Sequence, residues 1–507
     1  MRFSELLADL SLRGLSPRRV SPPAVDPEIG AITQDSRDVP DGALFVAISG
    51  MRTDAHSYIP DVTAAGAAAV LAEREVAVPE GVALALVKDG RLGLAFAAAA
   101  LQGHPSEEMS IVGITGTDGK STTSVLTVEA LLACGVAAGG MNSLDFRALD
   151  RIETNDSYMT TLESPIIQAR LRDLVNAGVR TAVLETTSHG LALHRVDAIA
   201  FDVAAYTNLT HEHLDFHGTI EAYRDAKLQL AELARQSPRK QGVPKAIVYN
   251  ADEPMWAKLA QAPTDRRVTY GIDHPADLVA ADIAARIDGI RFTARSADGD
   301  VAVQLPLTGR FNVYNALCAL AICRALGLPL DRAATGLATA RGLRGRMEVL
   351  AAGQDFNIVI DFAHTPDGLE KVLAELRSLT SGRLYTVFGA PGDRDAAKRP
   401  LMGDAVGRLA DEFVITTDDP RHESAERISA EIAEGAVSAG REQGRDFQVI
   451  IDRRAAIRSV LERARPGDTV LLAGKGHEDR MLVGADVLPW SEADEARAAL
   501  ADLGVVG

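Results

Sequence analysis

Short apolar runs alternate with longer stretches of helical spacing along almost the whole chain. Up to about residue 105 the apolar runs are "ALFVAI", "AAAVLAE" and "VALALV", divided by alanine-rich helical segments. "GHPSEE" at 103–108 reads as a linker. "MSIVGI" at 109–114 is then a buried-type strand, and a glycine-rich loop follows it. "STTSVLTVEALLACG" has helical period and ends in glycine, a common helix stop. "RTAVLETT", "AIAFDVAAYTNLT" and "KAIVYN" read as further strands with helices between them. The pattern changes again at "GLRGRMEVL", 342–350. Beyond it "NIVIDFAH", "RLYTVFGA", "EFVITTDDPR", "FQVIID" and "DTVLLAGKG" are spaced by helical segments. Such alternation predicts parallel α/β sheets, the last of them doubly wound. The breaks divide the chain into 1–105, 106–341 and 342–507. Ligands of doubly wound sheets sit at the carboxyl ends of strands, where Asp361, Asp393, Asp418 and Gly474 fall.

Composition narrows the class only a little. Apolar residues make up 47% and charged residues 24% of the 507, as in an ordinary globular protein. A formal charge of −17 argues against nucleic acid as a partner, since phosphate backbones need a basic surface. Cys134, Cys318 and Cys323 show neither metal spacing nor a disulfide framework, and read as buried or free thiols of a reducing compartment. "MRFSELLADLSLRG" has no signal-peptide apolar core, and "LAFAAAALQG" is far too short to span a bilayer. A cytoplasmic protein without a membrane span is expected.

The loop "GITGTDGKSTT", 113–123, departs from the strict phosphate-loop spacing. Ile114 stands where the first glycine belongs, and glycines occur at 113 and 116 instead. The chemistry is nevertheless complete. Gly116 and Gly119 allow tight turns, Lys120 supplies a point charge for phosphates, and Ser121 can ligate Mg²⁺. Strand, loop and helix in this order place backbone N–H groups against phosphate. Downstream, Glu185 ends a strand that belongs beside the loop. His189, His211, His213 and His217 fall within 30 residues, four of the chain's 11 histidines. A carboxylate and an imidazole near a phosphate loop fit a divalent cation, though Mg²⁺ prefers oxygen. Three strand-end segments, "GDRDAAKRP", "TTDDPRHE" and "AGKGHEDR", supply Arg394, Asp419, Arg421 and Glu478. Arginine forks suit carboxylates and acids suit ammonium groups, so this mixture suits a zwitterion such as an amino acid.

With these segments in view, the chain resembles the ATP-dependent Mur ligases of peptidoglycan synthesis, and among them the UDP-N-acetylmuramoyl-tripeptide synthetases. The resemblance runs nearly end to end. It is carried by "TQDSRDV" and "ALFVAISG" within 33–50, "TGTDGKST" at 115–122, "TNLTHEHLDFHGTIEAYRDAK" at 207–227 and "GRFNVYNALCALA" at 309–321. "DFAHTPDGL" at 361–369, "GDRD" at 392–395, "DDPR" at 418–421 and "GKGHE" at 474–478 complete it. The family's own loop is T-G-T-x-G-K-[ST], which accounts for the odd glycine spacing.

The resemblance implies an N-terminal α/β domain for the UDP end of the substrate, a central phosphate-loop-like ATPase domain and a C-terminal Rossmann-like domain for the amino acid. It implies ATP contacts at Gly116, Thr117, Gly119, Lys120, Ser121, Thr122, Asn312, Arg346 and Asp361. Ser36, Thr160, Thr161, Thr187 and Arg195 match UDP-substrate positions. Lys120, Glu185, His213 and Lys227 match the catalytic set. Ser121, Glu185, His213 and Lys227, the last as a carbamate, match the Mg²⁺ positions. Arg394, Asp419, Arg421, Gly474 and Glu478 match the amino-acid pocket. The implied reaction activates a carboxylate as an acyl phosphate, which an amine then attacks. Such transfer rests on positioning and charge neutralisation, and asks for no Ser-His-Asp nucleophile.

Certain positions depart from the family pattern. Asp419 replaces the asparagine of D-N-P-R, Leu193 stands where a polar residue is common, Ala390-Pro391 replaces Cys-Gly, and "DAH" at 54–56 lacks the glycine of D-G-H. Arg421 keeps the fork for the distal carboxylate of meso-diaminopimelate, while an acid at 419 also suits L-lysine or L-ornithine. The expected partners are UDP-MurNAc-L-Ala-D-Glu and a free diamino acid, diaminopimelate first, taken up by a monomer. The rival from another class is a non-catalytic ATP-binding homologue, against which stand intact Lys120, Glu185, His213 and Lys227.

Overall fold

The structure, a computed structural model, describes residues 1–50, 53–157, 159–210, 212–340 and 343–505. The chain forms two compact units. One comprises Met1–Val279, Arg295–Gly299 and Tyr314–Gly336, and the other Ala280–Ala294, Asp300–Val313 and Leu337–Gly507.

The first unit opens with a small sheet of β1 (Arg18–Arg19), β2 (Ile32–Thr33), β3 (Leu44–Val46), β4 (Ala69–Ala72) and β5 (Ala83–Leu86), in the order β1-β5-β4-β3-β2. It is parallel except where β1 meets β5. Successive side chains of a strand point to opposite faces. Leu44 and Val46 therefore pack with the helices Phe3–Leu12 and Gly90–Leu101, while Phe45 and Ala47 pack with Ile59 and Val62 on the other face.

The larger sheet of this unit holds β6 (Ser110–Thr115), β7 (Ala138–Met141), β8 (Asp145–Ala148), β9 (Arg151–Thr154), β10 (Thr181–Glu185), β11 (Val203–Tyr206), β12 (Ala246–Asn250) and β13 (Arg266–Gly271). Their order is β13-β12-β11-β6-β10-β7-β8-β9, parallel from β13 to β7 and antiparallel beyond. β6 is buried along its whole length. The chain leaves β6 for β7 on one side and later returns to β11 on the other. Strand order reverses at β6, which opens a crevice at its carboxyl end. The apolar run 198–210 yields a strand only at Val203–Tyr206. Residues 207–210 leave the sheet because they hold the loop after β6.

The second unit contains β14 (Leu278–Arg286, begun in the first unit), β15 (Gly289–Arg295) and β16 (Val301–Leu305), with β15 and β16 antiparallel. Its main sheet joins β17 (Glu348–Val349), β18 (Asn357–Asp361), β19 (Leu384–Phe388), β20 (Glu412–Ile415), β21 (Phe447–Val449) and β22 (Thr469–Ala473), in the order β17-β18-β22-β19-β20-β21. All pairings but β17 to β18 are parallel. Helices Pro366–Leu379, Lys398–Leu409 and Ala425–Ser438 pack on one face and Arg453–Leu461 and Glu492–Asp502 on the other, the doubly wound arrangement. A hairpin, β23 (Arg480–Val483) and β24 (Asp486–Pro489), follows. Among the described residues no helix is long and apolar enough to cross a membrane.

Candidate active site

The loop after β6 is held by close approach of backbone to side chains. Gly116 has φ +153° and Gly119 φ +78°. A Cβ on Gly116 would run into Thr207 Oγ1, and one on Gly119 into Asn315 Oδ1. Both positions therefore require glycine twice over, for conformation and for space. The Thr207–Thr210 segment grips the loop. Thr117 N donates to the Asn208 carbonyl and Asp118 N to Asn208 Oδ1, both at 2.8 Å. Thr207 Oγ1 donates to the Asp118 carbonyl at 2.7 Å. The loop ends at helix Lys120–Ala133, which no side chain caps. The first N–H groups of a helix have no intrahelical partner, so this end is a ready anion cradle.

Lys120 Nζ donates to the Thr117 carbonyl at 2.7 Å, folding the ammonium back over the loop. Ser121, on the same first turn, donates to Glu185 Oε2 at 2.9 Å. Ser143 N donates to the same oxygen at 2.9 Å, and the Ser121 and Ser143 hydroxyls lie 2.7 Å apart. Parallel pairing of β10 with β6 sets Glu185 beside Ile114, so one carboxylate and two hydroxyls converge next to the phosphate cradle. Hard oxygen donors at a phosphate site fit Mg²⁺.

Lys227 enters from helix Ile220–Gln236, whose buried stripe is Tyr223, Ala226, Lys227, Leu230, Ala231 and Ala234. This is an i, i+3, i+4 core face with a lysine in it. Its Nζ donates to the Gly116 carbonyl at 2.6 Å and lies 4.3 Å from the Tyr223 ring centroid. Burial, and then the charge of Lys120, hold its pKa well below the ordinary lysine value. His213 is exposed at φ +56°, with its ring 4.7 Å from His189 and 6.1 Å from Tyr223. His217 lies 5.2 Å from Tyr223, and Phe216 4.3 Å from His189. The histidines thus form one aromatic cluster around Tyr223. His211 lies outside the described residues.

Beside Glu185, Thr161 Oγ1 donates to the Glu185 carbonyl at 3.1 Å and accepts from Thr187 N at 2.9 Å. Thr187 caps the short helix Ser188–Ala192. Arg195 donates to the Thr161 carbonyl at 3.1 Å and pairs with Glu163 at 2.7 Å. Gln34 Nε2 reaches the other Glu163 oxygen at 2.9 Å, which brings the Asp35-Ser36-Arg37 turn toward the Thr160–Arg195 group. Asp35 and Arg37 form a bidentate pair on either side of Ser36.

In the second unit, Asn312 is buried and donates to the Thr308 carbonyl at 2.6 Å. Asp361 ends β18 and accepts from Met347 N and Ala363 N, both at 2.8 Å. Arg346 lies over the Phe362 ring at 4.8 Å, and His477 packs against the same ring at 5.0 Å. Burial, and then Arg346, push His477 down to about 3, so it is neutral at pH 7.

Asp418, Asp419 and Glu478 bring carboxylate oxygens within 4.8 Å of one another. In their midst is Lys475, with no exposed surface. Its Nζ meets Asp419 Oδ1 at 2.8 Å, Glu478 Oε2 at 2.6 Å and Asp418 Oδ1 at 3.8 Å. One cation among three acids leaves negative charge in excess. Burial pushes Glu478 up to about 7, with Lys475 opposing and Asp418 and Asp419 adding to the push. Asp419 Oδ1 also accepts from Leu482 N at 3.0 Å, and Arg421 N donates to the Leu482 carbonyl at 3.0 Å, which ties the D-D-P-R turn to the β23–β24 hairpin. Gly474, at φ +108°, borders Asp418. Arg394 is exposed on its loop. Buried Arg399 anchors that loop through Glu423, whose Oε1 accepts from Asp393 N at 2.6 Å.

Sequence reading gave no part to Ser143, Asn208, Glu163, Asn315 or Lys475. Asn208, Asn315 and Lys475 lie inside quoted motifs, so a signal was present. Ser143 and Glu163 carry none, because each is placed by a turn that only the folded sheet defines.

A glycine-rich loop between a parallel strand and an uncapped helix, where strand order reverses, defines a nucleoside-phosphate-binding α/β protein. Three family models match it: the Mur ligase family catalytic domain at 28–107, the Mur ligase middle domain at 114–323 and the Mur ligase glutamate ligase domain at 345–476. A UDP-N-acetylmuramyl-tripeptide synthetase from Roseiflexus sp. is 46% identical, with 100% of each chain covered. A UDP-N-acetylmuramoyl-L-alanyl-D-glutamate–2,6-diaminopimelate ligase from Bacillus licheniformis is 40% identical over 94% of this chain and 96% of its own. A solved structure of a ligase of that same name superposes with a TM-score of 0.66 at 31% identity, covering 94% of this chain and 95% of its own. The chain belongs to the Mur ligase family, whose members are ATP-dependent ligases that form amide bonds.

Proposed function

We propose that this ligase joins a diamino acid, meso-2,6-diaminopimelate first, to UDP-MurNAc-L-Ala-D-Glu in peptidoglycan synthesis. The observation that carries the reading is full-length identity of 46% and 40% to relatives named for tripeptide synthesis and for diaminopimelate ligation. Residues 1–105 would take the UDP end, 106–341 the ATP phosphates and 342–507 the amino acid. Cytoplasmic location and a monomeric state go with the reading.

ATP supplies the phosphoryl group that makes the substrate carboxylate an acyl phosphate, with Mg²⁺ as its counter-charge. Ser121 and Glu185 are proposed to hold the cation, with His213 and the carbamate of Lys227 completing its sites. Support for the carbamate lies in the burial of Lys227, which lowers its pKa and so favours the uncharged amine, the form that adds CO₂. Gly116, Thr117, Gly119 and Thr122 shape the cradle, and Lys120 neutralises phosphate charge. Asn312, Arg346 and Asp361 are proposed as further nucleotide contacts. Ser36, Thr160, Thr161, Thr187 and Arg195 position the UDP-linked dipeptide. Arg394 and Arg421 offer forks for carboxylates, Gly474 leaves room, and Asp419 and Glu478 face an ammonium. The negative excess around Lys475 favours a second reading, L-lysine or L-ornithine, because either brings a cation without a distal carboxylate.

The test is ATP-dependent phosphate release with UDP-MurNAc-L-Ala-D-Glu and each of the three diamino acids in turn. Release is expected only with both substrates and ATP, and fastest with diaminopimelate. Silence with all three sinks the reaction. Faster release with lysine or ornithine leaves the reaction standing and replaces the amine.

A further inference from the structure

The two segments proposed to hold the amino acid leave strands that are not neighbours. The D-D-P-R turn follows β20, the G-K-G-H-E segment follows β22, and β19 lies between those strands in the sheet. One guanidinium spans the gap. Arg453, the first residue of helix Arg453–Leu461, is buried. Its Nη1 donates to the Thr417 carbonyl at 3.2 Å and its Nη2 to the Ala473 carbonyl at 2.8 Å. Thr417 immediately precedes Asp418, and Ala473 immediately precedes Gly474. The fork is held by Glu492, the first residue of helix Glu492–Asp502 and equally buried. Glu492 accepts from Arg453 Nε at 3.0 Å, from Arg453 Nη2 at 2.6 Å and from Trp490 Nε1 at 2.8 Å. Trp490 N donates in turn to the carbonyl of Asp479, next to Glu478, at 2.8 Å. Three backbone points around Lys475 and its acids are thus fastened to one buried pair.

A buried ion pair contributes little to stability by itself, since replacing both members by apolar residues of like volume is often neutral. What apolar residues cannot supply is a donor to each of two strand-end carbonyls. Ala473 is fully buried, so loss of Arg453 takes a donor from a carbonyl that solvent does not reach. The peptide leading into Gly474 then turns toward another donor. Burial works against a charge on Arg453, but Glu492, then Asp418 and Glu478, outweigh it and raise its pKa.

We propose that Arg453 is a positioning residue for the amino-acid substrate, its fork setting the spacing of the two strand-end segments that carry Asp419, Arg421, Gly474 and Glu478. That role rests on the reading of those four residues as part of the amino-acid pocket. Arg453 acts through the backbone of Thr417 and Ala473, and Glu492 keeps its fork in place.

Steady-state phosphate release by the full chain tests this, with ATP, UDP-MurNAc-L-Ala-D-Glu and the fastest of the three diamino acids varied in turn. Arg453→Lys keeps a charge for Glu492 but puts one nitrogen where three stood, so it cannot span both carbonyls. Its melting midpoint should stay close to wild type. Its KM for the amine should rise about tenfold or more, while KM for ATP and for the UDP-dipeptide stays within about twofold. Arg453→Met combined with Glu492→Gln leaves no charge of the pair behind and should give the same split. Arg421→Ala is the control inside the pocket. An amine KM raised by Arg421→Ala but by neither Arg453 variant overturns the positioning role and leaves the pocket standing. An amine KM moved by none of the three overturns both. A common rise in all three KM values, a loss of kcat alone, or failure of both Arg453 variants to fold would make the pair merely structural and likewise overturn the proposal.

Discussion

Charge at single residues separates the two ends of the proposed chemistry. Burial draws the pKa of Lys227 well below the ordinary lysine value, whereas Lys475, as deeply buried, is held charged by three carboxylates despite the cost of desolvation. Burial alone and burial among carboxylates thus shift the same amine in opposite directions. Glu478 shows the remaining imbalance. Its folded pKa of about 7 lies above its ordinary 4.5, so the folded state holds that proton to higher pH than the unfolded chain does. The stability this contributes is complete below about 4.5 and is lost as pH rises through about 7. Glu478→Gln removes that loss. The variant's advantage over wild type in thermal melts should grow between these values and reach about 1–3 kcal/mol at pH 8. An advantage that stays flat or shrinks with pH would show that Lys475 fully compensates the carboxylate.

At the level of elements, the sequence was most legible where one pattern decides one structure. The buried strand before the loop, the helix after it and the doubly wound second unit all follow from apolar period and glycine stops. The carboxyl-end positions of Asp361, Asp418 and Gly474 followed for the same reason. The run 198–210 was less legible. Its apolar period carries it past Tyr206, but Thr207 and Asn208 bind the loop instead of extending β11. The Glu163–Gln34 and Ser143–Glu185 contacts join segments far apart in the chain, and no local period encodes those. The loop itself was legible as chemistry and not as a strict motif, since close packing against Thr207 and Asn315 fixes its glycines. That packing makes a prediction about the element as a whole. Gly116→Ala puts a methyl group into Thr207 at a φ of +153° that alanine rarely adopts. The β6–helix turn must shift, with an expected stability loss on the order of 1–3 kcal/mol. Nucleotide-dependent phosphate release should fall more than 100-fold, since a 1 Å misplacement already costs about that much. Near-wild-type release by Gly116→Ala would remove the loop from the phosphate site.

On the scale of the whole molecule, binding is linked to folding. A ligand that binds only folded protein adds RT ln(1 + [L]/Kd), about 2.7 kcal/mol at a hundredfold excess over Kd. Lys120, the uncapped helix end and the Ser121–Glu185 pair all belong to the first unit, so phosphate binding there should stabilise that unit directly. For a unit of this size the gain corresponds to a rise of roughly 4 °C in the midpoint of its melting transition. A non-hydrolysable ATP analogue with Mg²⁺ separates this effect from turnover, because its terminal phosphoryl group cannot be transferred. Lys120→Ala loses one bond to the Thr117 carbonyl, so its ligand-free midpoint should stay close to wild type. Its analogue-induced rise should largely vanish, and EDTA should diminish the rise in wild type. Calorimetry of wild type and variant with and without the analogue, and of wild type with analogue and EDTA, measures each of these midpoints. A full rise in Lys120→Ala would place the binding energy elsewhere than the loop, even if the variant were inactive. A rise unaffected by EDTA would count against a cation held by Ser121 and Glu185 while leaving the lysine's part intact.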